Sequence, residues 1–162
     1  NHSGLALELC YQLILRGIPD DAALEKALYA LEERHPVLKT RFVLDEGKAW
    51  QYIVSNQKLN ISYYNFLHLT STRTDSKLKQ IIQTELEQSF QIFDSPLVHY
   101  CLIRYAADRT IILLKVHHLI TDGSHLNIHR HFAEFYNQYH KGGTLIHQMN
   151  LLTQIMFVGK MS

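Results

Sequence analysis

The chain has 162 residues, of which 46% are hydrophobic, and its formal net charge is +1. These values predict a globular domain with one hydrophobic core. Lysines and arginines are scattered and form no basic stripe with interleaved aromatic residues, so we expect no nucleic-acid partner. The longest apolar stretch, near residues 151–158, is much shorter than the about 20 residues that a membrane-spanning helix needs. No signal peptide is visible, and we expect a cytoplasmic protein without membrane contact.

The spacing of apolar residues predicts strands and helices in turn. Residues 5–16 alternate between apolar and mostly polar side chains, as a half-buried strand does, and Gly17 ends the run. Asp20 and Asp21 offer a helix start, apolar residues recur at helical spacing up to Arg34, and Pro36 closes this helix. The later pattern predicts a hairpin at 40–54, a short strand at 60–64, a polar loop at 70–75, a helix at 78–90, a second hairpin at 97–116 and a third helix from near Ser124.

Two features of this order bear on the fold class. Helices and strands alternate irregularly, and two pairs of strands are hairpins, so we predict an α/β fold in which helices pack on a mixed sheet. A doubly wound parallel sheet is disfavoured. Cys10 and Cys101 both lie in strand-like runs, which favours reduced, packed thiols over a disulfide framework, although a bridge between them stays open.

The motif HHLITDG, residues 117–123, directly follows the last strand of the second hairpin. If that strand continues through both histidines, their side chains point to opposite faces of the sheet. One imidazole then faces a cleft, where its ordinary pKa of about 6.5 lets it exchange a proton near neutral pH, and the other is held in the interior. The alternative is that both are packed core or turn histidines and that Asp122 and Gly123 only form the turn.

A second segment points to a family. Residues 34–42, RHPVLKTRF, resemble the RHxxLRTxF signature of nonribosomal peptide synthetase condensation domains, and HHLITDG resembles their HHxxxDG motif. The two motifs also have the order and separation seen in that family, and the resemblance covers roughly residues 3–142. Their combination is more specific than either motif alone.

The resemblance implies a fold and an extent. Condensation domains have the chloramphenicol-acetyltransferase-like fold, in which two lobes form a V and the HHxxxDG loop lies at the cleft between them. The chain is long enough for the first of the two lobes only. We expect residues 1–143 to form this N-terminal lobe. Residues 144–162 are an apolar tail that either packs on the lobe or is a surface for the C-terminal lobe or a second copy, with self-association as one consequence.

The resemblance also implies a reaction. Condensation domains transfer an acyl group from a carrier-protein phosphopantetheine thioester to the amine of a second carrier-bound substrate. Carrier proteins are thus the expected partners, and the chain itself is expected to bind no cofactor. His118 matches the catalytic histidine, which either takes a proton from the amine or positions it, or donates to the developing oxyanion.

Other motif residues have supporting roles by the same resemblance. His117 is expected to be structural, and Gly123 to keep the turn slim beside the substrate path. Asp122 is expected to pair with an arginine rather than to join a triad, and Arg34 is the candidate partner. Three alternatives stay open for the whole chain: an epimerisation domain, a free-standing HHxxxDG O-acyltransferase, and a catalytically silent fragment that docks carrier proteins. The isolated lobe is expected to be inactive.

Metal binding is not predicted. His125 and His129 lie four apart, which is a spacing that zinc sites use, but no carboxylate or cysteine completes a ligand set.

The pairing of Arg34 with Asp122 is testable. We expect Arg34→Ala to lower the folded fraction, because the carboxylate of Asp122 loses its partner. Denaturant unfolding measures this fraction, and an unchanged value would show that the two residues do not pair.

Overall fold

The computed structural model describes residues 6–121, 127–140 and 154–159. In chain order, the described elements are β1 (Ala6–Arg16), α1 (Asp21–Arg34), a 3-10 turn (Pro36–Lys39), β2 (Thr40–Asp45), β3 (Lys48–Ile53), β4 (Ile61–Asn65), α2 (Ser71–Glu87), β5 (Val98–Ala106), β6 (Arg109–His117), α3 (Ile128–Tyr139) and β7 (Gln154–Gly159). None of the helices in this part of the chain is long and apolar enough to cross a membrane.

The described strands form two sheets. One has five strands in the order β4-β5-β6-β1-β7, and the other is the β2-β3 hairpin. In the larger sheet β4 pairs with β5 in parallel, whereas the other neighbours are antiparallel. The predicted mixed sheet and both predicted hairpins are therefore confirmed.

Each face of the larger sheet packs against its own helices. Leu13 of β1, Ile112 of β6 and Phe132 of α3 belong to one buried cluster, which also contains the apolar side of α1. Cys10 and Leu113 belong to a second cluster on the opposite face, where apolar residues of α2 cover them. Because neighbouring residues of a strand point to opposite faces, β1 and β6 contribute to both clusters.

The cysteines lie in this second cluster. Cys10 and Cys101 are buried and free, as the sequence predicted for packed thiols. Burial raises the pKa of Cys10 to about 12, so its thiol stays protonated and unreactive at neutral pH.

Three helix boundaries differ from the sequence prediction. Helix α2 ends at Glu87 and not at residue 90, and the starts of α2 and α3 also differ. The predicted polar loop at 70–75 is wrong, because α2 begins at Ser71 and the Thr74 hydroxyl donates to the Thr70 carbonyl oxygen at 2.9 Å. The first turns of α2 are polar because most of their side chains are exposed. Helix α3 begins at Ile128, later than predicted, after Asn127 in the left-handed region at φ 48°. That conformation cannot be part of a right-handed helix. Ser124 lies outside the described residues.

The apolar tail contributes a strand. Residues 154–159 form β7, which pairs with β1 at the edge of the larger sheet. This pairing agrees with the alternative in which part of the tail packs on the lobe. Residues 144–153 and 160–162 lie outside the described residues.

A buried hydrogen-bonded group ties α1 to the sheet. Glu32 accepts from the Tyr100 hydroxyl at 2.7 Å and from the Gln57 amide at 3.2 Å, and all three residues are buried. Burial raises the pKa of Glu32, and its two hydrogen-bond donors oppose that shift. The carboxyl therefore depends on these donors in place of water.

Tyr100→Phe removes one of the donors without changing the shape of the ring. We expect the free energy of unfolding to fall by about 1–3 kcal/mol, because Glu32 stays buried with one partner fewer. Urea unfolding measures the change. The matched control is Tyr63→Phe, whose hydroxyl donates to Glu25 at 2.9 Å on an exposed side chain. It should change the same quantity by less than about 0.5 kcal/mol. Equal losses for the two variants would contradict this account.

Candidate functional site

Strand β6 ends at the first histidine of the HHxxxDG motif. The His117 amide donates to the Leu97 carbonyl oxygen at 2.9 Å, and His117 lies opposite Glu8 of β1. The chain then turns, with the Ile120 amide donating to the His117 carbonyl oxygen at 3.1 Å. Strand alternation would place the two histidines on opposite faces only if the strand continued through both, and this condition is not met because β6 ends at His117. His118 is oriented by the turn and not by strand alternation.

His117 is packed and neutral. Only 5% of its surface is exposed, and its ring meets the Phe90 ring edge-on at a centroid distance of 5.9 Å. Its Nδ1 accepts from the Leu119 amide at 3.1 Å, so the proton of the neutral ring is on Nε2. Burial, with a smaller contribution from His118, lowers the pKa of His117 to about 4. The ring is thus uncharged at neutral pH and closes the turn as a hydrogen-bond acceptor.

His118 has a different environment. It is exposed, and its ring stacks on that of His117 at a centroid distance of 4.9 Å. Ile120, 7% exposed, anchors the turn in the cluster below α1 and α3. The motif therefore has one packed and one exposed imidazole. The sequence predicts such a difference from strand alternation, whereas in the structure the turn after His117 produces it.

Of the other predicted site residues, the structure describes Arg34 only. Asp122 and Gly123 lie outside the described residues, so the pairing of Asp122 with Arg34 stays a prediction. Arg34 is the last residue of α1 and is exposed. Its positive charge contributes to the lowered pKa of His35, after burial and the charge of His131.

A histidine pair that sequence reasoning missed joins this region to α3. His35 Nε2 and His131 Nδ1 are 2.7 Å apart, and the two rings stack at 4.9 Å. The contact holds the RHxxLRTxF segment against α3. Its partners are far apart in the chain, and no local pattern marks them.

The described residues contain no group of histidine, cysteine, aspartate or glutamate side chains that could hold a metal ion. The His129 ring stacks on Tyr11 at 4.8 Å, and burial lowers its pKa. His125, the other residue of the predicted zinc-like spacing, lies outside the described residues. His129 thus has a packing role.

Sequence reasoning also missed a buried charged pair near the motif. Lys115 and Glu8 are 4% and 6% exposed, and Nζ of the lysine lies 3.3 Å from Oε2 of the glutamate. A signal existed in the sequence, since Lys115 interrupts the apolar run of β6 two residues before His117. Its partner could not be read from that run.

Comparison with known proteins decides the family. The family model of the condensation domain matches residues 10–150, which is most of the chain. The chain belongs to the condensation domain family. Gramicidin S synthase 2 of Brevibacillus brevis is 31% identical over 128 residues, and surfactin synthase subunit 2 of Bacillus subtilis (strain 168) is 29% identical over 111 residues. These matches cover 79% and 68% of the chain and 3% of each synthase.

Solved condensation domains share the fold. The starter condensation domain of rhizomide synthetase RzmA superposes with a TM-score of 0.71 at 17% identity, over 83% of this chain and 32% of that one. VibH, an NRPS condensation enzyme, gives a TM-score of 0.66 at 19% identity, over 82% of this chain and 30% of its own. The predicted chloramphenicol-acetyltransferase-like fold is confirmed, and the chain corresponds to one lobe, about a third of the solved domains.

The neutral state of His117 predicts a pH dependence. Its pKa in the folded chain, about 4, lies below the ordinary 6.5, so between these pH values the unfolded chain binds more protons than the folded one. The contribution of His117 to the free energy of unfolding is therefore lost as the pH falls from about 6.5 to about 4. It amounts to about 3 kcal/mol at most.

The variant His117→Asn isolates this contribution from that of other histidines. Its carboxamide oxygen can still accept from the Leu119 amide, but it does not titrate. We expect urea unfolding between pH 7 and pH 4 to show a shallower loss of stability in the variant than in the parent. Identical slopes would mean that His117 titrates normally.

Proposed function

We propose that the chain supplies the catalytic histidine of an amide-forming condensation in nonribosomal peptide synthesis. The acyl donor is a thioester on the phosphopantetheine of one carrier protein, and the acceptor is an amine carried by a second. The observation that carries the proposal is the exposed ring of His118 in an HHxxxDG turn whose other histidine is buried and neutral. Membership of the condensation domain family supports the same reaction.

His118 is the residue that can act on the reacting atoms. The amine attacks the thioester carbonyl, the C–N bond forms, and collapse of the tetrahedral intermediate breaks the C–S bond. The proton lost by the amine ends on the released phosphopantetheine thiol. An imidazole that carries this proton contributes typically about 10²- to 10⁴-fold in rate. Donation from the same ring to the oxyanion is the alternative role, worth roughly 3–4 kcal/mol at other enzymes.

His117 serves the reaction indirectly. If His117 were protonated, uptake of a proton by His118 would place two cationic rings 4.9 Å apart, and these would repel each other. Burial keeps His117 neutral and removes that repulsion. Its Nδ1 also holds the Leu119 amide, which directly follows His118 in the chain. His117 is therefore a positioning residue.

The reaction is assigned to the complete condensation domain. The chain spans about a third of the solved condensation domains, so a C-terminal lobe is expected to close the cleft and the isolated chain to be inactive. Carrier proteins and that lobe are the proposed partners. Phosphopantetheine belongs to the carrier proteins.

His118→Ala in the complete synthetase tests the proposal. With acylated donor and acceptor carrier proteins, we expect the rate of amide formation, followed by mass spectrometry, to fall by at least about 10²-fold. His68→Ala is the control, because His68 is an exposed histidine outside the motif. An unchanged rate in His118→Ala would refute the catalytic role. Ester formation with an alcohol acceptor, without amide formation, would indicate an O-acyltransferase instead.

A further inference from the structure

We infer that the buried pair Lys115–Glu8 positions the histidine turn through the ring of Phe90, so that both charged residues are positioning residues for the condensation reaction. The inference rests on the proposed function of His118. Lys115 and Glu8 lie in strands β6 and β1, next to the motif, and act on the reacting atoms only through other residues.

The pair occupies one end of an otherwise apolar sheet face. Ile111, Leu113, Lys115 and His117 alternate with the residues that face α1 and α3, so these four share the face that α2 covers. Glu8 lies on the neighbouring strand, directly opposite His117. The ion pair is thus next to the point at which β6 ends and the histidine turn begins.

The Lys115 ammonium group has three partners, one carboxylate and two carbonyl oxygens. Nζ lies 3.3 Å from Oε2 of Glu8, donates to the Glu85 carbonyl oxygen at 2.6 Å, and donates to the Gln88 carbonyl oxygen. The carbonyl groups of the last helical turn have no partners within a helix. Lys115 therefore caps the C-terminal end of α2 and fixes residues 85–88 to the sheet.

Glu8 holds the next part of the same segment. Its Oε1 accepts from the Phe90 amide at 3.4 Å, while its Oε2 faces Lys115. The Phe90 ring lies over Lys115, with Nζ 5.4 Å from the ring centroid, and its edge packs against His117. Glu8 thus positions the backbone of Phe90, and Lys115 positions its ring.

A continuous series of contacts therefore leads from the ion pair to the catalytic histidine. Phe90 contacts His117 at a centroid distance of 5.9 Å, and His117 stacks on His118 at 4.9 Å. A displacement of Phe90 leaves space beside the buried ring of His117, whose Nδ1 holds the turn. Interiors are close-packed, so such a displacement reaches His118 through the stack.

Stability alone gives a weak reason for this arrangement. Burying two charges costs desolvation free energy, and replacing a buried ion pair by apolar side chains is often neutral or stabilising. An ion pair with directed hydrogen bonds instead selects one geometry for the groups that it joins. Here those groups are the end of α2, Phe90 and the strand that carries the motif.

Lys115→Met in the complete synthetase distinguishes a role in positioning the histidine turn from a role in stability alone. Methionine is unbranched like lysine, but it lacks the positive charge and the three N–H donors of the ammonium group. We expect kcat for amide formation to fall roughly 10- to 100-fold, since small misplacements of catalytic groups have effects of this order. KM for the carrier-bound substrates should stay within twofold, and Lys115→Arg should recover part of kcat.

Ile111→Ala is the matched control. Ile111 is buried on the same face of the same strand, four residues before Lys115, and its truncation removes core packing without touching Phe90 or His117. We expect it to lower the midpoint of thermal unfolding at least as much as Lys115→Met and to leave kcat of the folded enzyme within twofold. If both variants lose kcat in proportion to their loss of stability, the role of the ion pair is only structural.

Phe90→Leu tests the middle of the series if Lys115→Met does not fold. It keeps apolar bulk but removes the ring that contacts both Lys115 and His117, so kcat should fall while KM stays unchanged. A folded Lys115→Met or Phe90→Leu enzyme with the kcat of the parent overturns the inference. The proposed function is tested separately, by the His118→Ala variant and by the alcohol acceptor, so a failure of this inference leaves the proposed function unaffected.

Discussion

The central physical constraint is that β6 ends at a histidine that is still inside the sheet. Strand β1 lies beside His117 on one side, its amide donates to Leu97 just before β5 on the other, and its ring is buried against Phe90. Burial keeps the ring neutral, and a neutral ring leaves Nδ1 free to accept the Leu119 amide. That hydrogen bond forms part of the turn that exposes His118. A protonated His117 would lose the acceptor, so the packing of one imidazole determines where the other is presented.

The two faces of the larger sheet have separate tasks. The face below α1 and α3 is an apolar core, and it anchors the turn through Ile120. The face below α2 changes from apolar residues to a buried charged pair as it approaches the motif. Next to the motif, the ion pair and its hydrogen bonds fix the orientation of the groups that they join, and apolar packing covers the rest of this face. The exposed histidine is thus supported from both sides of the sheet.

Sequence patterns predicted most of the sheet because alternation and turn residues are local signals. Strand β1 and both hairpins follow from them. The start of α2 was missed because its first turns are polar, and polar residues are as typical of an exposed helix as of a loop. One buried and one exposed histidine fit the sequence interpretation, but that interpretation required the strand to continue through His118, and β6 ends at His117. The pairs Lys115–Glu8 and His35–His131 join residues far apart in the chain, so only the fold brings them together.

The most direct test of this account is the protonation state of His117 in the folded chain. Nitrogen-15 NMR of the imidazole distinguishes the two neutral tautomers from the cation. The account predicts that His117 carries its proton on Nε2 at pH 7 and remains in that form at pH 5.5, because its pKa is about 4. A ring protonated on Nδ1, or a cation at pH 5.5, would contradict the account, because neither form can accept the Leu119 amide.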